Sequence, residues 1–298
     1  MFGEMQGQFE KKKERGANVI IDVKFIRHGE RTKENQLTEL GRDITRDRAR
    51  ESGITKESYD AVKAGGSNVD ANQESGMGRA VETAHIYATE VAEGKNLSTR
   101  PMQKFSQALN YQNMVTPPPY NHREIYNSHL PENFDLLSDE ENMKAAKVAQ
   151  TATINYVLSL TGPEAEAWRK EAAGGYAYVL DHYIRQTKKL KSGLRVLRPE
   201  GSHGGTMEFL LKEALVREDR DGNKTLGFSS LDEIGGDIDP SESYTVRVAT
   251  NEKSDLKELM VTFDDHPNRP KREKMYLDID KVRELADFYK GLHRSEAI

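Results

Sequence analysis

Apolar and β-branched residues crowd into one early run, Val19-Ile20-Ile21-Asp22-Val23-Lys24-Phe25-Ile26, which predicts a strand over 19–27 in the middle of a sheet. A polar stretch follows, and Thr38 is placed to cap a helix running to about Ser52. Tyr59 to Ala64 reads as a short strand ended by Gly65-Gly66-Ser67. From Met77 to Glu93, the residues Ala80, Thr83, Ala84, Tyr87, Ala88 and Val91 recur at helical spacing, and Gly94 stops the helix.

The middle of the chain loses this rhythm. Thr116-Pro117-Pro118-Pro119-Tyr120 suits neither a helix nor a central strand, and it opens a polar, helical segment with no clear strand. We read about 112–175 as a cap inserted into a single domain spanning 18–298, with 1–17 as a mobile arm. Beyond it the pattern predicts a helix over 176–191, a strand over 194–199 and a helix over 205–216. Asp219-Arg220-Asp221-Gly222-Asn223 is a hairpin turn; its Gly222 is misplaced for a calcium loop. Ser243 to Ala249 and Glu258 to Phe263 alternate like a late β-hairpin, and 279–292 closes the chain as a helix. Strands alternating with helices predict a three-layer α/β/α architecture around a mostly parallel sheet. In such sheets ligands sit beyond the carboxyl ends of the strands.

Composition narrows the chemistry. The 298 residues contain no cysteine, which excludes disulfides, thiol catalysis and cysteine-held zinc. The net charge is −5, against nucleic-acid binding, so phosphate affinity must come from a local arginine cluster. Lys11-Lys12-Lys13 is followed by no apolar signal-peptide segment, and no stretch is long enough to span a membrane; a cytoplasmic location is the expectation. No heptad or exposed apolar face points to an oligomer, and the histidines show no metal-ligand spacing.

The chemistry concentrates in three places. Arg27-His28-Gly29-Glu30 ends the first strand, Ser75-Gly76-Met77-Gly78-Arg79-Ala80 opens a helix, and Ser202-His203-Gly204-Gly205 follows a later strand. A histidine beside an obligate cation stays neutral and keeps a nucleophilic nitrogen, while arginine offers a planar fork to phosphate. Phosphoryl transfer needs a nucleophile, cations on the equatorial oxygens, and a proton for a poor leaving group. On this reading His28 is the nucleophile, Arg27 and Arg79 are the clamp, and His203 hydrogen-bonds the phosphoryl oxygens. Gly29 and Gly204 let backbone approach the ligand, and Arg31, Thr32 and Ser75 are candidate substrate contacts. Ser-His-Gly-Gly alone also suits an esterase oxyanion loop, but no Gly-x-Ser-x-Gly elbow accompanies it.

These motifs resemble those of the histidine phosphatase superfamily, the phosphoglycerate-mutase-like fold. Arg27 to Glu30 matches its Arg-His-Gly motif, Leu37-Thr38-Glu39-Leu40-Gly41 its Leu-Thr-x-x-Gly pattern, Ser75 to Ala84 its second-arginine motif, and His203 its second histidine. His-Gly-Gly at the last site points to the mutase-like branch. The resemblance covers roughly 19–94 and 176–216. It implies a phosphohistidine on His28 and a phosphate pocket of Arg27, Arg79 and His203. Two departures stand out. Leu194-Arg195-Val196-Leu197-Arg198-Pro199-Glu200 is more polar than that family's strand, suggesting an exposed or bent end, and no acid occurs between Arg100 and Arg123 to protonate the leaving group. Glu124 is the next acid and the candidate donor, with Glu242 as the other.

The expectation is therefore a cofactor-free, metal-independent phosphomonoester hydrolase acting on a small phosphorylated metabolite or phosphopeptide. The alternatives are an inactive phosphate- or phosphopeptide-binding module of the same fold, or a phosphomutase; no second basic cluster for a bisphosphate is evident.

Overall fold

A computed structural model describes residues 14–32, 34–55, 57–68, 77–92, 104–264, 269–270 and 274–294. Lys11-Lys12-Lys13, Ser75, Gly94 and the start of the second-arginine motif lie outside these residues. In chain order the elements are β1 (Ile20–Arg27), α1 (Glu39–Glu51), β2 (Ala61–Val62), β3 (Gly65–Gly66), α2 (Arg79–Ala92), α3 (His122–Ser128), α4 (Asp139–Ser159) and α5 (Pro163–Thr187). They continue with β4 (Arg195–Ser202), α6 (Met207–Ala214), β5 (Leu215–Glu218), β6 (Lys224–Leu226), β7 (Ser243–Ala249), β8 (Leu259–Phe263), β9 (Lys274–Leu277) and α7 (Ile279–His293). Short 3₁₀ turns cover 104–109 and 111–113.

The α/β expectation holds. The sheet runs β2-β4-β1-β7-β8-β9-β5-β6, with β3 also on β4. It is parallel where β1, β2 and β3 meet β4, the part that carries the two histidine motifs. From β7 outward it is antiparallel, which makes the whole sheet mixed. Val19, Ile21, Val23 and Phe25 enter the core under α5, α6 and α7, while Ile26 and Leu197 pack with Ala49, Tyr87 and Val91 of α1 and α2. Alternate residues of β1 thus face two layers; on the second, Asp22 and Lys24 are buried beside Ile26 and are paired with Arg247 and Asp264.

Several local expectations are met for their stated reasons. Thr38 Oγ1 accepts the Gly41 N–H at 2.9 Å and caps α1. Asp219 Oδ1 accepts from the N–H groups of Asp221 and Asn223, each at 2.9 Å, and closes the β5–β6 turn. β7 and β8 pair in antiparallel register, with Tyr244 opposite Phe263.

Three expectations are corrected. β4 is neither exposed nor bent outward: from Val196 to Ser202 every residue is buried. Leu197 and Gly201 turn their carbonyls toward Lys63 and Ser67. Pro199 shares their side of the strand and falls between β2 and β3, where no partner needs its missing N–H. Second, Gly65 and Gly66 do not end a strand but pair with Glu200 and Gly201. Third, α5 runs straight through Gly174-Gly175. A Cβ at Gly175 would stand 2.1 Å from the Ala108 carbonyl oxygen, so glycine here permits close packing instead of breaking the helix. Residues 14–17 are docked on the body: the Gly16 N–H donates to the Leu190 carbonyl and its carbonyl accepts from Thr250.

Candidate active site

The parallel register of β1 with β4 sets Arg27 opposite Ser202, so both chains leave the sheet at one end and deliver His28 and His203 side by side. Their ring centroids are 5.3 Å apart. Arg79, the first residue of α2, reaches the same place although it is only 5% exposed. Arg27, His28, Arg31, Arg79 and His203 line one cavity of about 260 Å³. Four of the five catalytic candidates therefore converge, joined by Arg31 and Gly204.

His28 is held in a defined tautomer. Its Nδ1 lies 2.8 Å from the Gly29 carbonyl, which can only accept, so the proton sits on Nδ1 and Nε2 keeps its lone pair. Burial pushes its pKa down to about 3, and the Arg79, Arg27 and Arg31 guanidiniums push the same way against the Gly29 hydrogen bond. His203 is likewise neutral, its pKa driven well below the ordinary value by burial first, then by His28 and the arginines. Its Nε2 is 2.9 Å from Ser67 Oγ, while its buried Nδ1 has no partner among the described residues. Ser67 was invisible as a site residue, since Gly65-Gly66-Ser67 reads as a strand terminator; the pairing of β3 with β4 puts it there.

Arg27 is aimed by backbone and carboxylate together. Its Nη1 donates to the Ile238 carbonyl at 2.5 Å and lies 3.5 Å from Asp237 Oδ2. A Cβ at Gly204 would stand 2.5 Å from Arg27 Nε, so only glycine lets this guanidinium lie across the turn. The 234–239 loop is in turn fixed by Arg269, which donates to the carbonyls of Ile234, Gly236 and Asp237. Arg269 also forks onto Glu242 at 2.8 and 2.7 Å.

That geometry removes Glu242 as a proton donor: both its oxygens are held by Arg269 and it is 1% exposed. Glu124 does not converge either. It lies exposed on α3, its backbone N–H capped by Asn121, and lines neither this cavity nor the one beside it. Thr32 builds a turn, accepting from the N–H groups of Glu34 and Gln36, and is absent from both cavity walls. Gly29 lines the second cavity, and its N–H donates to Thr83 at 3.1 Å. The Gly205 N–H is occupied by Glu208 at 3.0 Å, so the start of α6 does not offer that donor to an anion.

The second cavity, about 470 Å³, shares Arg27, His28, Arg31 and Gln150 with the first and is lined by Glu30, Asp237 and Asp239. Sequence reading missed Asp237, which sits in a loop without a motif. It also missed His122 of α3, and the wall that Tyr120, α4 and α5 supply to the first cavity: Tyr120, Ile154, Val157 and Trp168. Among the described residues no group of three or more His, Asp or Glu could hold a metal, and no helix is long and apolar enough to cross a membrane.

The depressed His28 pKa has a thermodynamic signature. An unfolded histidine binds a proton below about pH 6.5, whereas native His28 does so only near pH 3, so its contribution to stability is lost as pH falls. Buried Glu200, pushed up to about 7, acts oppositely, losing its contribution as pH rises through that value, so the wild-type profile mixes both. The difference in unfolding free energy between wild type and His28→Asn isolates the histidine. It is expected to rise by about 2 kcal/mol from pH 5 to pH 7 in urea titrations. A difference independent of pH would show that folding does not depress the His28 pKa.

No family model matches the sequence, and no curated protein matches it. Similar solved structures include a mycobacterial hydrolase at 14% identity and a TM-score of 0.42, covering 91% of this chain and 98% of that one. A mycobacterial glucosyl-3-phosphoglycerate phosphatase gives 14% identity and 0.39, with 82% and 97% covered. A Hafnia alvei phytase gives 10% identity and 0.39, with 93% and 97% covered.

Proposed function

We propose that this chain is a phosphomonoester hydrolase of the histidine phosphatase type, working without a metal through a phosphohistidine on His28. One observation carries the reading: two neutral imidazoles 5.3 Å apart share a cavity with the guanidiniums of Arg27, Arg31 and Arg79. Fixed cations accumulate there, so the cavity suits a dianion.

In the proposed reaction the lone pair of His28 Nε2 attacks phosphorus, and the P–O ester bond breaks with its electrons on the departing oxygen. Arg27, Arg31 and Arg79 balance the charge on the phosphoryl oxygens. His203 Nδ1 donates to one of them while Nε2 accepts from Ser67. Water then attacks the phosphohistidine, the P–N bond breaks, and inorganic phosphate leaves with neutral His28 restored. That water enters on the face the leaving group vacated, and its proton passes to solvent.

Rapid acid-free quenching of the enzyme with 32P-labelled p-nitrophenyl phosphate tests the reading. Expected is a label stable to alkali, labile to acid and absent from His28→Asn, with turnover unchanged by EDTA. Tight phosphate binding without turnover would favour a binding module instead. Loss of activity with EDTA would overturn the metal-free reaction.

A further inference from the structure

The first cavity has two unlike halves. Its floor is cationic; Tyr111, Tyr120, Ile154, Val157, Trp168 and Phe209 give its other side an aromatic and aliphatic face, with His122, Gln150, Thr153 and Thr206 among them. The aromatic rings stand edge to face: Tyr120 against Trp168 at 5.4 Å and 88°, and Trp168 against Phe209 at 5.1 Å and 87°. Tyr111 meets the His203 ring at 5.2 Å and 84°, which brings this wall to the edge of the phosphate floor. Among the described residues no aspartate or glutamate lines this cavity; the nearby carboxylates face the other one. An apolar cavity of about 150 Å³ accommodates benzene, so about 260 Å³ suffices for one ring and a phosphoryl group.

We propose that the preferred substrate is an aryl phosphate monoester, its single aromatic ring held between Tyr111, Tyr120, Trp168 and Phe209 while its phosphoryl group meets His28. This rests on the phosphatase reading above and adds the identity of the ester group. An alkoxide is a poor leaving group and needs a proton in the transition state. A phenolate, whose conjugate acid has a pKa of about 10, leaves far more readily. When His28 Nε2 bonds to phosphorus, the P–O(aryl) bond breaks, the oxygen keeps the electron pair, and the phenolate takes its proton from water on release. Two ionisable groups on that side, Tyr120 and His122, are ill suited to act as acids. The Tyr120 hydroxyl is pushed up to about 12 by burial, and His122 is held below the ordinary histidine value by burial and by Arg31.

The full chain assayed with phenyl, benzyl and glycerol phosphates tests the inference. Phenyl and benzyl phosphate carry the same ring but differ in leaving group. Benzyl and glycerol phosphate both release an alcohol but differ in polarity. Expected is a kcat/KM for phenyl at least 100-fold above benzyl, the range that a missing general acid accounts for, and benzyl at least tenfold above glycerol. Phenyl and benzyl within threefold of one another would reveal a proton donor and overturn the inference, while leaving the phosphatase reading intact. Glycerol phosphate equal to benzyl phosphate would overturn the role of the apolar wall. Hydrolysis of none of the three by folded protein would overturn the phosphatase reading and, with it, this inference.

Discussion

Alanine at position 28 is expected to cost at least about 10⁴-fold in kcat on p-nitrophenyl phosphate, the scale of loss when a covalent nucleophile is deleted. The expectation follows from how the ring is held. Its Nδ1–H points to the Gly29 carbonyl, so Nε2 is the one nitrogen with a free lone pair. Its pKa near 3 keeps that lone pair available throughout the working range, so no base is needed to free it. No neighbour can take over: the Nε2 of His203 is engaged with Ser67, and its ring is placed by a different strand. The measurement is steady-state hydrolysis with His28→Ala and His28→Asn side by side, with circular dichroism establishing that both fold. A loss smaller than tenfold in both variants would mean that His28 does not attack phosphorus.

The second large effect concerns Arg79. Arg79→Ala is expected to lower kcat/KM by about 10²–10³-fold, roughly 3–4 kcal/mol of transition-state stabilisation. Arg79 is buried at the start of α2 and contributes to holding both His28 and His203 neutral, which places its charge close to where phosphoryl charge develops. Arg79→Lys is expected to recover only part of the loss, since an ammonium cannot reproduce a planar fork. Two readouts check this. Rates with p-nitrophenyl phosphate give the transition-state term, and thermal shift with inorganic phosphate gives the ground-state term. Wild type should gain stability with phosphate and Arg79→Ala should gain less. Unchanged rates would place Arg79 outside the reacting group.

How much of this was legible in the chain differs from element to element. β1 was readable because few structures other than a buried central strand need so long a β-branched run, and its charged Asp22 and Lys24 are paired inside with Arg247 and Asp264. α1 was readable to the residue because Thr38 has a local task, one hydrogen bond three residues ahead. β4 was misjudged because its polar residues are matched from elsewhere: Glu200 accepts from Tyr183 and from Ser106, and Arg198 lies over the Tyr183 ring at 5.1 Å. α5 was cut in two because Gly174 and Gly175 look like breakers until Leu285, Tyr289 and Ala108 are seen to need the space.

The same division applies to the site. Its candidate groups belong to short motifs at element ends, where local context marks them. Arg27, His28, Arg79 and His203 were found in that way, and all four line one cavity. Glu124 and Glu242 do not reach the cavity, because distance along the backbone says nothing about where a surface helix points or whom a buried carboxylate meets. Arg269 claims Glu242, a partnership between residues 27 apart that no local pattern announces.

Sequence alone determined the layered α/β class, the strand that bears His28, and the four side chains Arg27, His28, Arg79 and His203 that line one cavity, because these depend on periodicity and on groups acting within a few residues. Tertiary structure decided the tautomer of His28, the engagement of Ser67, the aiming of Arg27 by Asp237 and Ile238, and the aromatic wall. The His28–Gly29 hydrogen bond apart, each of these is a contact between distant segments, set by the register of β1 on β4 and by the residues that Tyr120, α4 and α5 bring to the cavity, and such contacts leave no periodic trace in the chain.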